Sequence, residues 1–191
     1  MKGCRPLSEE EVTAVLNSFT GTCAKRDRAL FVLGLKTGFR ISELLSLRVK
    51  DVVHGSRLAD RVAVARRSMK GKVEGRAVVL HPDAKEALGA WLQERGEAAK
   101  PDSFLFASRK GQRPISRVQA WRILDAAFAA AGVEGQTGTH SMRKTFAGRV
   151  YDALGEDIFR LQQALGHRSI NSTTAYLSFR EEDVDAAILA I

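Results

Sequence analysis

The stretch Leu165-Gly166-His167-Arg168-Ser169-Ile170-Asn171-Ser172-Thr173-Thr174-Ala175-Tyr176 lies near the end of a chain of 191 residues. Its glycine is predicted to end one helix, which leaves His167 in the turn that follows. Asn171 or Ser172 is predicted to cap a short helix that carries Tyr176, one of two tyrosines in the chain. A lone tyrosine is usually a core or rim residue, so the function of this stretch depends on the rest of the chain.

The composition fits a protein with its own hydrophobic core and a polyanionic partner. Hydrophobic residues make up 45% of the chain, and 30 Lys and Arg against 22 Asp and Glu leave a formal net charge of +8. This excess favours nucleic acid, with a basic enzyme acting on small anions as the alternative. Cys4 and Cys23 are too few for a disulfide framework and are predicted to be free thiols. No apolar targeting or membrane segment is evident, so we expect a soluble intracellular protein.

Helical signals cover most of the chain. Ser8 and Glu11 form a predicted capping box, and Gly38 is the predicted stop of a more apolar second helix. A third helix is expected to begin near Arg40. The further helices are predicted from Pro82, from Ser116 to Gly132, over roughly 140–154, over 157–165, around Tyr176 and over 181–191.

Between Arg48 and Leu80 the hydrophobic period changes from that of a helix to that of a strand. Apolar and polar residues alternate over 61–66, which predicts a strand, and residues 76–80 are predicted to form its partner strand. The basic, glycine-bearing segment 68–75 between them is the predicted hairpin tip. The fold class is therefore mainly α with a small antiparallel β-sheet (α+β), organised as a single domain over residues 1–191.

Arg40 and Glu43 are the first candidates for function. Arg40 follows a glycine turn at a helix N-terminus, where its guanidinium and the helix amides can both face a phosphate. Glu43, one turn further on, can hold the Arg40 side chain in place. The alternative is an ordinary surface ion pair of little energetic value.

His140 and Arg143 are the second pair, at positions i and i+3 of a predicted helix. They share one face, which offers a proton-transfer group beside a bidentate phosphate ligand. Tyr151, His54 and His81 are predicted to be ordinary structural residues. The sequence has no carboxylate or Cys/His cluster suited to a metal, so no metal and no cofactor is predicted.

Taken in order, the elements are an arginine, a lysine in a hairpin, His-x-x-Arg, Gly-His and, nine residues on, a tyrosine. This order resembles the catalytic domain of the tyrosine recombinases, the phage integrase family, from about residue 7 to the C-terminus. The strongest parts are residues 37–44, 140–146 and 165–177. The resemblance implies the tyrosine recombinase catalytic-domain fold and a site-specific enzyme of DNA recombination and integration, typical of mobile genetic elements.

The resemblance also implies a role for each matching residue. Tyr176 is the expected nucleophile, which attacks a DNA phosphodiester and retains a 3′-phosphotyrosyl bond. Arg40, Arg143 and His167 are expected to hold the non-bridging oxygens, and His140 to assist proton transfer. Lys70 is expected to protonate the departing 5′-hydroxyl. Neither a metal ion nor ATP is needed, because the covalent bond conserves the energy of the broken phosphodiester.

Two residues could be the general acid, because both Lys70 and Lys72 lie at the predicted hairpin tip. Lys70 is preferred because it ends the first strand, where the family's lysine usually stands. The remaining basic residues of the hairpin are expected to contact the DNA backbone. These are Arg66, Arg67, Lys72 and Arg76.

The expected partner is double-stranded DNA, bound by a homotetramer on synapsed sites or by a monomer when free. Only 39 residues precede Arg40, which leaves no room for the family's N-terminal core-binding domain. We expect either a piece of a longer protein or a short recombinase like the fimbrial phase-variation invertases. The last helix, with Val184, Ile188 and Ile191, either docks on a neighbouring protomer or closes its own core.

Two other functions are compatible with the same residues. One is a type IB topoisomerase-like enzyme, and the other is a catalytically weak DNA-binding regulator of recombination. The expected location is the cytoplasm, associated with the nucleoid, for a bacterial or phage-encoded protein and without a membrane partner.

Overall fold

The computed structural model describes residues 3–64, 76–109, 113–177 and 189. Within these ranges the chain forms eight α-helices and four short β-strands, together with 3-10 turns at Val49–Asp51 and Gly96–Ala98. The chain divides into two compact units, the first ending at Phe146 and the second beginning at Ala147. No helix in the described ranges is long and apolar enough to cross a membrane.

The first unit opens with α1 (Glu9–Ser18), which begins at the predicted capping box. Ser8 Oγ accepts a hydrogen bond from the Glu11 amide at 3.2 Å, and Glu11 Oε2 accepts one from the Ser8 amide at 2.9 Å. These bonds satisfy amides that the first turn of a helix cannot pair internally. Val12 and Val15 are buried on the opposite face of the helix.

Helix α2 (Ala24–Thr37) runs through the core and ends at Gly38, as predicted. Gly38 is left-handed, with φ of 59°, and its amide donates to the Gly34 carbonyl at 3.0 Å. A Cβ at Gly38 would lie 2.3 Å from Cδ1 of Phe146, so only glycine fits this position. Helix α3 (Ile41–Ser46) starts directly after this turn.

Two antiparallel hairpins follow. The first joins β1 (Val53–His54) to β2 (Arg57–Leu58), and the second joins β3 (Arg61–Val64) to β4 (Arg76–Val79). Residues of β3 alternate between exposed and buried, which is the pattern that the sequence showed. The β1–β2 hairpin was not predicted, because strands of two residues are too short to show alternation.

Helices α4 (Pro82–Arg95) and α5 (Arg117–Ala130) complete the core of the first unit. Pro82 occupies the first turn of α4, and Ser116 Oγ accepts from the Gln119 amide at 3.0 Å at the start of α5. Helix α4 packs on α2, and α5 packs on α1 and α3. Both helix starts agree with the sequence prediction.

Helix α6 (Thr139–Ala153) crosses from the first unit into the second. The second unit continues with α7 (Ile158–Leu165), which begins at Asp157 and ends at Gly166 with φ of 61°. The short helix α8 (Ile170–Thr174) comes next. The glycine stop before His167 is therefore present where the sequence predicted it.

The prediction for α8 was wrong in two respects. The N-cap position is Ser169, so neither Asn171 nor Ser172 caps the helix. The helix ends at Thr174, so Tyr176 lies beyond it rather than on it. Ser169, Asn171 and Ser172 are all residue types that favour the N-cap position. The helix starts after Ser169 because the backbone of that residue is extended, with φ of −117° and ψ of 138°.

The predicted fold class is confirmed, with two small antiparallel hairpins where one was expected. The hairpin tip at 68–75 and most of the predicted last helix lie outside the described residues. The single-domain organisation over 1–191 stays a prediction.

Candidate active site

Arg40 stands at the N-cap position of α3, directly after the left-handed turn at Gly38. Its backbone amide donates to Glu43 Oε2 at 2.7 Å, and its Nη1 donates to Glu43 Oε1 at 3.1 Å. The Arg40 side chain is 38% exposed, so part of the guanidinium faces outward. Glu43 therefore orients the Arg40 guanidinium, and the exposed part of that group can donate hydrogen bonds to an external anion.

Arg143 is buried, with 1% of its surface exposed. Its Nη1 donates to the carbonyl oxygen of Gly38. A buried guanidinium is costly unless it is hydrogen-bonded, and this bond joins it to the turn that ends at Arg40. Arg143 is thus held by the backbone of the same short segment, residues 38–40, that carries Arg40.

His140 lies one turn before Arg143 on α6 and is exposed at the protein surface. Partial desolvation of the imidazole ring lowers its pKa below the ordinary value, and the positive charges of Arg143 and Arg40 lower it further, followed by those of Arg117 and Lys144. A lowered pKa keeps His140 neutral at pH 7. A neutral imidazole can accept or relay a proton, as the predicted role requires.

The lowered pKa of His140 leads to a pH prediction. We expect the ratio of cleavage rates, native chain over His140→Gln, to fall as the pH is lowered from 8, with its midpoint below pH 6.5. The neutral imidazole persists below its ordinary pKa of 6.5, and protonation removes its contribution. Single-turnover cleavage at subsaturating DNA measures this, because that rate reports the free enzyme. A midpoint at or above pH 6.5 would contradict the lowered pKa.

Close packing sets the position of α6 in the first unit. A Cβ at Gly34 would lie 2.6 Å from Met142 Sδ, so the glycine lets α2 approach α6 closely. The Leu7 amide donates to Thr145 Oγ1 at 2.8 Å, which ties the N-terminal segment to the same helix. These contacts fix the helix that presents His140 and Arg143.

His167 lies in the turn after α7, inside the second unit, and is 9% exposed. Its Nδ1 is 3.0 Å from Thr173 Oγ1, and its carbonyl accepts from Gln162 Nε2 at 3.1 Å. The Thr173 contact fixes the orientation of the imidazole ring. Thr173 was not predicted, because nothing in a run of Ser and Thr distinguishes one hydroxyl from the next.

Tyr176 lies beside His167 in the second unit. The two ring centroids are 5.2 Å apart, with the planes inclined at 39°. The Tyr176 amide donates to the Thr173 carbonyl at 2.9 Å, so the backbone here still follows a helical turn. The two side chains that the sequence analysis assigned to one site are therefore direct neighbours, and their catalytic roles stay predictions.

The structure thus brings the predicted residues together in two groups. Arg40, Glu43, His140 and Arg143 gather in the first unit, and His167 and Tyr176 gather in the second. Four predicted residues lie outside the described ranges: Arg66, Arg67, Lys70 and Lys72. Within the described ranges, no three His, Cys, Asp or Glu side chains are grouped as metal ligands would be.

Comparison with known proteins identifies relatives over nearly the whole chain. The model of the phage integrase family matches residues 5–182. The chain is 37% identical over 163 residues to the probable integrase/recombinase YoeC of Bacillus subtilis (strain 168), covering 85% of this chain and 83% of that protein. It is 34% identical over 179 residues to the type 1 fimbriae regulatory protein FimE of Escherichia coli (strain K12), covering 90% and 84%.

Solved structures show the same relationship. XerA recombinase matches with a TM-score of 0.79 and 25% identity over 100% of this chain and 64% of its own. XerH site-specific recombinase, bound to its difH substrate, matches with a TM-score of 0.72 and 27% identity over 98% of this chain and 55% of its own. The chain also spans 56% of the length of the tyrosine recombinase XerC of Ralstonia pickettii (strain 12J).

The chain belongs to the phage integrase family, the tyrosine recombinases. Its predicted fold, that of the family's catalytic domain, is confirmed, and so is its class as a site-specific DNA recombinase.

Proposed function

We propose that this chain cleaves and rejoins double-stranded DNA through a covalent bond between Tyr176 and a 3′-phosphate. The observation that carries this proposal is the bond from buried Arg143 to the Gly38 carbonyl. It joins a second arginine to the turn that presents Arg40, as a site for the two non-bridging oxygens of a phosphodiester requires. The His167–Tyr176 pair supplies the nucleophile and a further donor.

The chemical step is an in-line displacement at phosphorus. Tyr176 Oη forms a bond to phosphorus as the bond from phosphorus to the 5′-oxygen breaks. The tyrosine proton leaves with the help of His140, and Lys70 supplies a proton to the 5′-oxygen. Arg40, Arg143 and His167 hold the non-bridging oxygens as charge builds up on them. The reverse reaction with another DNA 5′-hydroxyl restores the phosphodiester and completes strand exchange.

The arginines also address the weak acidity of tyrosine. With a pKa near 10, about one tyrosine in a thousand is ionised at pH 7, a deficit of about 4 kcal/mol. Two guanidinium groups beside the phosphate offset much of this cost, and they neutralise the pentacoordinate transition state as well. No metal ion and no ATP enters this scheme.

Double-stranded DNA is the partner that the charge and the relatives both support. The net charge is +8, and XerH was solved with its difH substrate. We assign backbone contacts to Arg66, Arg67 and Lys72, and a homotetramer on two synapsed DNA sites, by analogy with the family. The reaction then takes place on DNA in the bacterial cytoplasm.

Trapping the covalent intermediate tests this function. The full chain is incubated with a pool of nicked duplexes whose sequence is random around the nick, in EDTA and without ATP. Loss of the short cleaved strand prevents religation, so we expect a denaturation-resistant adduct on a DNA 3′-end, and sequencing that DNA reports the preferred site. Absence of any adduct, with DNA binding intact, would favour the catalytically weak regulator. Supercoil relaxation without strand exchange between duplexes would favour the topoisomerase.

The general acid is tested with a leaving group that needs no proton. We expect Lys70→Ala to slow cleavage of ordinary DNA by about 10²–10⁴-fold, the usual contribution of a general acid. A bridging 5′-sulfur in place of the 5′-oxygen should restore the rate, because a thiolate leaves unprotonated. At saturating DNA, Lys72→Ala, the matched control, should cleave both substrates at close to the native rate, because a backbone contact contributes to binding. Rescue of Lys72→Ala instead would transfer the role to Lys72.

A further inference from the structure

Arg76, the first residue of β4, directs its guanidinium at the turn that follows α2. Its Nη2 donates to the Thr37 carbonyl, and its Nη1 donates to the Gly38 carbonyl at 3.4 Å. The guanidinium carbon lies 5.0 Å from the ring centroid of Phe39 and 5.7 Å from that of Phe146. Two carbonyls and two aromatic rings thus surround one partly buried cation.

These contacts suit the end of a helix. The last carbonyls of α2 have no partner within the helix, and its C-terminus carries partial negative charge. A planar guanidinium bonds two such carbonyls with donors in a fixed geometry and stacks flat on aromatic rings, whereas an ammonium is a compact point charge with no plane to stack. Arg76 therefore acts as a C-terminal cap supplied by a strand distant in sequence.

The same turn holds both arginines of the phosphate site. The Gly38 carbonyl accepts from Arg143 as well as from Arg76. Arg40 is two residues beyond Gly38 and occupies the N-cap position of α3. Any shift of this carbonyl would therefore displace the hydrogen-bond partner of Arg143 and the backbone of Arg40 together.

We propose that Arg76 is a positioning residue, which fixes the Thr37–Arg40 turn so that Arg40 and Arg143 meet the same phosphate. This proposal rests on the proposed function for its effect on cleavage. It gives Arg76 a role different from the DNA-backbone contact that the sequence suggested. The two roles predict opposite behaviour, because a backbone contact contributes to binding and a positioning residue contributes mainly to the rate.

The first test compares cleavage and binding in Arg76→Ala and Arg76→Lys. At saturating DNA we expect single-turnover cleavage to fall about 100-fold in Arg76→Ala, the effect of misplacing reacting groups by about 1 Å. Arg76→Lys should be intermediate, because lysine keeps the charge but loses the planar pair of donors that reaches both carbonyls. The dependence of log Kd on log salt should keep the native slope in both variants. A slope reduced by about 1, with a native cleavage rate, would make Arg76 a phosphate contact and overturn the proposal.

Arg61→Lys is the matched control. Arg61 lies on β3 of the same hairpin, is exposed, and donates to the Ala77 carbonyl at 3.2 Å. The chemical change is the same, but the turn after α2 is not touched. We expect native cleavage from Arg61→Lys, and an equal loss in both lysine variants would overturn the proposal.

A second test asks whether Arg76 acts through the phosphate-binding arginines or through the general acid, Lys70. Arg76 acts on the phosphate-binding arginines, so the bridging 5′-sulfur substrate should not rescue Arg76→Lys. Rescue would show that Arg76 acts through the leaving-group acid, and the proposal would be wrong.

A third measurement does not depend on catalysis. Hydrogen exchange of the Gly38 and Arg40 amides, which are bonded to the Gly34 carbonyl and to Glu43, should be faster in Arg76→Lys than in Arg61→Lys. Equal exchange would overturn the positioning role. A native chain that forms no DNA adduct, with faster exchange in Arg76→Lys, would overturn the proposed function alone. If Arg76→Ala does not fold, Arg76→Lys carries each measurement.

Discussion

Tyr176→Phe is expected to abolish the covalent DNA adduct, with a loss in cleavage rate of at least about 10⁴-fold. The substitution removes only the hydroxyl, which is the proposed nucleophile. The ring remains to lie beside His167, 5.2 Å between centroids in the native chain, so folding and DNA binding should be preserved. The measurement is adduct formation on the nicked duplex, followed by gel electrophoresis under denaturing conditions.

Tyr151→Phe is the matched control, because it makes the same chemical change on α6 at the chain's other tyrosine. We expect it to form adduct at the native level. If Tyr176→Phe formed as much adduct as the native chain, the nucleophile would lie elsewhere. Adduct lost only from Tyr151→Phe would transfer the role to that residue.

Gly38→Ala is expected to lower the free energy of unfolding by about 2–5 kcal/mol. Part of this, about 1–2 kcal/mol, is the cost of a Cβ at φ of 59°. A further part, about 1–3 kcal/mol, is overpacking, because the new Cβ would lie 2.3 Å from Phe146 Cδ1. The resulting shift moves the carbonyl that holds Arg143, so cleavage by the folded fraction should fall about 100-fold.

Gly55→Ala separates the two contributions. Gly55 has φ of 63°, yet a Cβ there would meet nothing within 4 Å. We expect this variant to lose only about 1–2 kcal/mol of stability and to cleave DNA at the native rate. Urea unfolding gives both free energies. Equal losses in the two variants would show that the ring of Phe146 moves aside without cost.

Much of the local structure was legible in the sequence because its causes are local. The capping box of Ser8 and Glu11, the glycine stops at Gly38 and Gly166, and the alternation in β3 were each read from neighbouring residues and are present. Local signals failed where several residues were equally suited. The start of α8 is the example, because Ser169 rather than Asn171 or Ser172 occupies the cap position.

By itself, the sequence determined the order of the helices, the strands β3 and β4, and the family, and it nominated the side chains for chemistry, since these depend on residue type and spacing. Only the tertiary structure decided how those side chains are held. The Gly38 carbonyl receives Arg143 from 105 residues further along the chain and Arg76 from 38 residues away, and no local pattern encodes such a meeting. It arises because tertiary packing places Phe146 of α6 so close to Gly38 that a Cβ there would clash, and because the long side chains of Arg143 and Arg76 reach the same carbonyl from α6 and β4.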